Sequence, residues 1–207
     1  SYRTILKGLG ATVEISVWSL IFGTLLGALV CMLRMSKLKI LNIPAKIYIV
    51  ILRGSPVLML LMLMYYGIFA RSTLEANTIA VITFSLNVAA HVAELLRASI
   101  SATDHGQVEA ARTLGFSAWQ AFRLVTLPQV VRIAKPVYQS TVVNLIQWTS
   151  VVGYVSITDL TRVINNIASR TMQPMITIII GMVIYLALAY IVHGLFALSD
   201  YFSHRKE

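Results

Sequence analysis

The sequence is poor in the residues that soluble and disulfide-stabilised proteins need. Only 12% of its 207 residues are charged, whereas a soluble domain has roughly 25%. Cys31 is the only cysteine, so a framework of intramolecular disulfides is excluded. Hydrophobic residues make up 57% of the chain, which excludes disorder because a disordered chain has low hydrophobicity. These features predict a protein embedded in a membrane.

Five long apolar stretches divide the chain. A helix needs about 20 apolar residues to cross a bilayer, and its backbone groups must be hydrogen-bonded within the segment. We therefore expect an all-α integral membrane protein in which residues 1–207 form a single transmembrane domain. The predicted spans cover approximately residues 11–33, 47–70, 76–96, 137–155 and 175–198.

The basic residues are unevenly placed between the predicted spans. The chain has 17 Lys and Arg residues against 8 Asp and Glu residues, for a net charge of +9. Most of the basic residues lie in the first and third connections and at the C-terminus. Because cytoplasmic loops are enriched in Lys and Arg, we expect the N-terminus outside and the C-terminus in the cytoplasm. The charge then indicates topology and contact with membrane lipid, and we expect no nucleic-acid partner.

The predicted cytoplasmic loop, residues 101–135, is too long to lack structure of its own. Gly115 predicts a left-handed turn that ends one short helix, and Pro128 predicts the end of a second near Leu127. By composition alone, such a hairpin could also lie on the lipid surface. Two residue pairs match the capping pattern that starts a helix, Asp104 with Gln107 and Ser117 with Gln120.

Two further local patterns concern helix packing. Ser19, Gly23 and Gly27 are four residues apart, which favours a seam where a second helix approaches closely. Within the second apolar stretch, the segment Arg53-Gly54-Ser55-Pro56 predicts a break or a helix start, because proline lacks a backbone donor.

The loop also resembles a known signature. The pattern in this loop is Glu109-Ala110-Ala111, three residues, Gly115, nine residues, Val125, one residue and Leu127-Pro128. This pattern resembles the loop of bacterial ABC importer membrane subunits. Four further segments are similar to those of polar amino acid permeases: Ala90–Arg97, Gly106-Gln107, Arg53–Pro56 and Thr149-Ser150. The resemblance implies a permease in the bacterial cytoplasmic (inner) membrane, and it covers roughly residues 8 to 200.

In that family the loop docks into an ATP-hydrolysing subunit. The chain has no phosphate-binding loop sequence of its own, so the resemblance implies ATP and Mg on that separate subunit and no cofactor here. It also implies a second permease copy or homologue and an external solute-binding protein. Because the chain starts at Ser1, two interpretations stay open. The permease could be fused to the solute-binding protein upstream, or the sequence could be a trimmed segment. The implied coupling residues are Gly106, Gln107, Glu109, Ala110, Ala111, Gly115, Leu127 and Pro128.

Polar residues within the predicted spans are candidates for a substrate path. We expect a structural ion pair between Glu94 and Arg97, three residues apart on one helix. No catalytic or metal-binding residues are predicted. The proposed path residues are Asn144, Gln147, Thr149, Ser150 and Arg53, although helix–helix hydrogen bonding by the first four and lipid contact by Arg53 are alternatives.

The chain departs from the family pattern at two places. His91 stands where the family usually has Tyr, and Gln147-Trp148 where it usually has Lys-Asp. The loss of both charges leaves the preferred solute open. Two alternatives are a permease for another small solute and a membrane scaffold or sensor that docks an ATPase without transport. An intramembrane enzyme is a third alternative, but the sequence has no cluster of residues suited to catalysis within the predicted spans.

Overall fold

The structure, a computed structural model, describes the backbone of residues 2–204 and the side chains of residues 2–199 and 201. This described part is helical and contains no strand, which confirms the predicted all-α fold. The helices are α1 (Tyr2–Arg34), α2 (Lys39–Gly54), α3 (Val57–Met62), α4 (Ala76–Ser101), α5 (His105–Thr113), α6 (Ala118–Ala121), α7 (Leu127–Trp148), α8 (Leu160–Thr171) and α9 (Pro174–His204). Two π-helical segments, Leu63–Ile68 and Phe122–Thr126, and a 3-10 segment, Thr149–Val155, continue α3, α6 and α7.

Three helices in the described residues are long and apolar enough to cross a membrane: Tyr2–Arg34, Ala76–Ser101 and Pro174–Ser199. The second apolar stretch qualifies as a fourth candidate only if its two bent halves are taken together. Residues 137–155 lie across the end of α7 and the 3-10 segment. Their polar side chains make this stretch less apolar than the others. The count of five spans and the orientation of the termini stay predictions.

The second predicted span is not one straight helix. Lys39–Gly54 and Val57–Ile68 meet at an angle of 110°. The break falls at Ser55, which is extended with φ −92° and ψ 137°. Pro56 explains this conformation because its ring disfavours helical geometry in the preceding residue. The predicted break in this segment is present. Helix α2 begins at Lys39, ahead of the predicted span, and the span boundaries of 47–70 stay a prediction.

The seam of small residues brings α1 against α4. A Cβ atom on Gly23 would lie 2.6 Å from Val88 Cγ1, and one on Gly27 would lie 2.7 Å from Val92 Cβ. Such distances leave no space for a side chain. The helix–helix seam that the spacing predicted therefore lies within the chain.

Helix α4 is the centre of the packing. Phe84 and Val88 are fully buried and belong to a core that also includes residues of α1, α3 and α7. Hydrogen bonds tie the surrounding helices to this centre. The Tyr48 hydroxyl on α2 donates to the Leu86 carbonyl at 2.6 Å, and Asn87 Nδ2 donates to the Leu52 carbonyl at 3.0 Å. The position of α2 beside α4 is thus fixed by both apolar and polar contacts.

Pro128 does not end a helix, so this prediction is wrong. The backbone stays helical from Ala118 through Val155, and Pro128 lies in the first turn of α7. Pro128 has no amide hydrogen and therefore donates no backbone bond to the preceding segment. The π-helical segment before it absorbs the change in register, with the Leu127 amide bonded to the Phe122 carbonyl.

Candidate coupling loop and membrane pathway

The first loop helix, α5, is capped by Asp104. The Gly106 amide donates to Asp104 Oδ1 at 2.9 Å, which satisfies one of the free donors at the helix start. The expected second half of the capping box, from Gln107, is absent. Gln107 Oε1 instead accepts from Gln129 Nε2 at 3.1 Å, and Gln129 Oε1 accepts from the Asp104 amide at 3.0 Å. The side chain of Gln129 thereby joins α5 to α7.

Gly115 forms the bend between α5 and α6. Its φ of +91° lies in a region that side chains with a Cβ rarely adopt. The Phe116 amide reaches back to the Ala111 carbonyl at 3.1 Å, a bond that closes the C-terminus of a helix. Arg112 supports the same turn by donating to the Phe116 carbonyl at 2.7 Å. The predicted left-handed turn is present, and the side chain of Arg112 stabilises it.

Helix α6 begins with the predicted capping box. The Gln120 amide donates to Ser117 Oγ at 3.2 Å, and the Ser117 amide donates to Gln120 Oε1 at 2.8 Å. Together with the turn at Gly115, these bonds give the two loop helices a defined angle. The loop is therefore a rigid helical hairpin.

The tip of the hairpin exposes large apolar side chains. Leu114 is 80% exposed and Trp119 is 67% exposed. The Trp119 ring stacks on Phe122 at a centroid distance of 5.8 Å. These residues are not among the predicted coupling residues, although apolar side chains beside an exposed turn are a usable signal for a protein contact.

The predicted coupling residues differ in their exposure to solvent. Ala111 is buried against the rest of the loop, whereas Glu109 and Ala110 face outward. Gln107 and Pro128 line one cavity beside α7. The exposed members lie on α5, at the bend and at the start of α7, so a partner would meet a mixed surface of one carboxylate and several apolar groups.

The proposed path residues do not form one group. Asn144 and Gln147 are exposed on α7, and Gln147 lines a cavity with Thr161 and Asn165. Thr149 is buried, and its hydroxyl donates to the Ile146 carbonyl at 2.6 Å, which is a structural contact. Ser150 follows on the half-buried 3-10 segment.

Arg53 lies apart from these α7 residues. It lines another cavity, together with Glu94 and Arg34. Glu94 there forms a bidentate pair with Arg97, with Nη2 at 2.6 Å from Oε1 and Nε at 3.0 Å from Oε2. The structure therefore contains the expected ion pair and places Arg53 beside it.

Asp159 is a buried carboxylate that sequence analysis missed. It is 0% exposed and caps α8, accepting from the amides of Thr161 and Arg162 at 3.0 Å each. Burial raises the pKa of this carboxyl, while the amide hydrogen bonds lower it. Next to it, the Thr161 hydroxyl lies 2.8 Å from the Tyr185 hydroxyl. This cluster fixes α8 against α9.

An all-α bundle with a rigid helical hairpin outside its apolar helices is the architecture of an ABC importer permease. Residues 19–205 match the family described as binding-protein-dependent transport system inner membrane component. The chain belongs to this family. The resemblance seen in the loop signature is confirmed.

Individual relatives agree with this assignment. The chain is 38% identical over 192 residues to the probable amino-acid ABC transporter permease protein YckA of Bacillus subtilis, covering 92% of this chain and 85% of that protein. It is 28% identical over 204 residues to HisM of Salmonella typhimurium, a histidine/lysine/arginine/ornithine transport system permease protein, covering 93% and 87%.

Solved structures match the fold. A crystal structure of an amino acid ABC transporter with histidines superposes with a TM-score of 0.87 at 30% identity, covering 96% of this chain and 94% of that one. The inward-facing MetNI methionine ABC transporter has a TM-score of 0.73 at 18% identity, covering 95% and 94%, and shares the fold. The chain is thus a bacterial inner-membrane permease subunit of an ABC importer. It is a component of a transport pore and not an enzyme.

Proposed function

We propose that this permease imports polar amino acids delivered by an external solute-binding protein. The observation that carries the proposal is the likeness to an amino-acid permease over nearly the whole chain, including the membrane helices and the loop. A likeness confined to the loop would support an importer of any solute, because the loop contacts the ATPase and not the solute.

The helical hairpin is the proposed contact with the ATPase. Its bend is fixed by Gly115, and the exposed side chains of Leu114 and Trp119 offer an apolar surface for a groove on the partner. Glu109 adds a negative charge that a basic residue of the partner would meet. Because the hairpin is rigid, movement of the ATPase subunits would be transmitted to α4 and α7.

The other coupling residues support this contact. Ala110 leaves space for a close approach, since a methyl group is its whole side chain. Gln107 joins the hairpin to Gln129 of α7, and Leu127 and Pro128 start that helix. The Gly106 amide donates to the Asp104 cap, and glycine adds no side chain there. ATP and Mg belong to the partner ATPase in this proposal.

The proposed path for the amino acid follows α7. Asn144, Gln147 and Ser150 offer uncharged donors and acceptors, which suit a zwitterion that carries both charges itself. Gln147 faces the cavity beside Thr161 and Asn165. Thr149, bonded to its own helix, orients this segment. Arg53 lies in a separate cavity and is the weakest member of the path.

A complete transporter in this proposal has two permease domains, from a second copy or a homologue, and two ATPase subunits. Helix α9 is apolar and mostly exposed in the single chain. This face would be covered by lipid or by the second permease. The binding protein selects the amino acid on the outer side.

ATP-driven uptake in liposomes tests the proposal. Vesicles would contain this permease, its ATPase and its binding protein, with a mixture of labelled amino acids outside. We expect accumulation of a polar amino acid that Gly115→Pro and Glu109→Lys both abolish. Glu75→Lys is the matched charge reversal at an exposed position outside the loop, and we expect uptake to continue.

Other results would redirect the assignment. Accumulation only of a metal chelate or an oxyanion would refute the amino acid substrate while leaving the coupling loop intact. ATPase docking and solute binding without any accumulation would refute transport and favour a scaffold or sensor. Undiminished uptake by both loop variants would refute the coupling role.

A further inference from the structure

A basic cavity lies between α1, α2 and α4. Its volume is about 360 Å³, and its polar lining consists of Arg34, Lys46, Arg53 and Glu94. Ile49, which is 4% exposed, belongs to the apolar cluster beneath it with Val30 and Ala93. The cavity is thus a built depression between three helices.

The positive charges of this cavity outnumber its one acidic residue. Glu94 is its only acidic lining residue, and both of its carboxylate oxygens are engaged by Arg97. The Arg34 guanidinium donates from Nη1 to Asn42 Oδ1 at 2.9 Å, a neutral acceptor. Lys46 and Arg53 are exposed and make no hydrogen bond or ion pair with the described residues. Three cations therefore face a space that suits an anion.

An apolar stripe runs along α2 next to these cations. Its four isoleucines follow helical spacing and are all more than half exposed: Ile40, Ile43, Ile47 and Ile51. At 3.6 residues per turn, Lys46 and Arg53 lie about 100–120° around the helix from this stripe. An occupant that fills the cavity and covers the stripe must be anionic at one end and apolar beyond it.

We propose that this cavity binds the phosphodiester headgroup of an anionic phospholipid, whose acyl chains lie along the isoleucine stripe. The Arg34 and Arg53 guanidiniums and the Lys46 ammonium suit phosphate oxygens, because charge-assisted hydrogen bonds to phosphate are strong. A free phosphate would leave the stripe uncovered. The site shares Arg53 with the proposed amino acid path, but binding of a lipid here does not require the transported solute.

Lipid titration of the assembled transporter tests the site. Native mass spectrometry would measure the preference for phosphatidylglycerol over phosphatidylcholine with matched acyl chains. Each cation near a membrane surface contributes about 1 kcal/mol, or roughly a fivefold preference. We expect Lys46→Gln with Arg53→Gln to lower the preference roughly 25-fold, and Lys46→Gln alone roughly fivefold.

Two controls separate the cavity from general surface charge. Lys39→Gln removes an exposed cation from the same helix outside the cavity, and we expect an unchanged preference. Lys46→Arg with Arg53→Lys keeps both charges, and we expect most of the preference to remain. Thermal melting verifies that each variant is folded, and the single Lys46→Gln change provides the test if the double variant is unstable.

Four results would overturn the proposal. One is an unchanged lipid preference in the folded Lys46→Gln or double variant, and another is an equal loss in Lys39→Gln. Displacement of the lipid by glycerol 3-phosphate at comparable concentration would indicate a site for a soluble anion. Occlusion of the cavity by an acidic surface of another subunit, with no lipid bound, would indicate a protein contact. None of these measurements requires transport, so failure here is distinct from failure of the proposed function.

Discussion

The rings of His91 and Trp148 lie 5.2 Å apart and are tilted by 51°. His91 Nδ1 is also 2.9 Å from the Asn87 carbonyl, which fixes the orientation of the imidazole. These are two of the positions at which the chain departs from the pattern of polar amino acid permeases. Because the two rings touch, the departures form one packed unit that joins α4 to α7.

We expect His91 and Trp148 to be energetically coupled. In a double-mutant cycle with His91→Ala and Trp148→Ala, the coupling energy should be about 0.5–1.5 kcal/mol, as for other aromatic pairs. Thermal unfolding of the purified permease measures it. His193→Ala with Trp18→Ala serves as a control pair without a ring contact between its members, and its effects should add. Additive effects for His91 and Trp148 would contradict the coupling.

The seam between α1 and α4 predicts position-dependent effects of adding one methyl group. Gly23→Ala should destabilise the permease by about 1–3 kcal/mol, because the new Cβ meets Val88 and the helices must separate. Gly10→Ala on the same helix has nothing within 4 Å of the added atom and should be neutral or stabilising. Equal thermal midpoints for the two variants would refute the seam. Val88→Ala should restore part of the stability of Gly23→Ala.

We expect the side chain of Gln129 to hold helix α5 of the hairpin against α7. Gln129→Ala removes the bonds to Gln107 and to the Asp104 amide, which are worth about 0.5–1.5 kcal/mol each. We expect faster amide hydrogen exchange over residues 104–113, with global stability nearly unchanged. Gln129→Glu keeps the acceptor for the Asp104 amide and should show a smaller increase. Unchanged exchange in Gln129→Ala would show that α5 is held by its other contacts.

The buried carboxyl of Asp159 predicts a pH dependence of stability. Burial raises its pKa in the folded state, so the folded protein binds this proton more tightly than the unfolded chain. The contribution is then fully present below the unfolded pKa of about 3.9 and is lost as pH rises through the folded pKa. Asp159→Asn keeps an acceptor for the α8 amides and should remove this slope. Unfolding curves of both proteins between pH 4 and pH 7 measure the difference, and identical slopes would contradict the prediction.

Local features of this protein could be predicted because short segments of sequence decide them. The bend at Gly115 follows from the freedom of glycine at positive φ, and the break at Ser55 follows from the ring of Pro56. The Ser117–Gln120 capping box involves groups only three residues apart. The prediction of a helix end at Pro128 was wrong because a proline is equally compatible with the first turn of a new helix.

The sequence alone therefore determined the class of protein, the long apolar helices and the shape of the coupling loop, since these depend on composition and on neighbours along the chain. The tertiary structure decided which distant residues meet. It paired His91 with Trp148, buried Asp159 at the start of α8, joined Gln107 to Gln129 and separated Arg53 from the polar residues of α7. These contacts depend on how the helices pack side by side, which helical periodicity and charge placement do not specify.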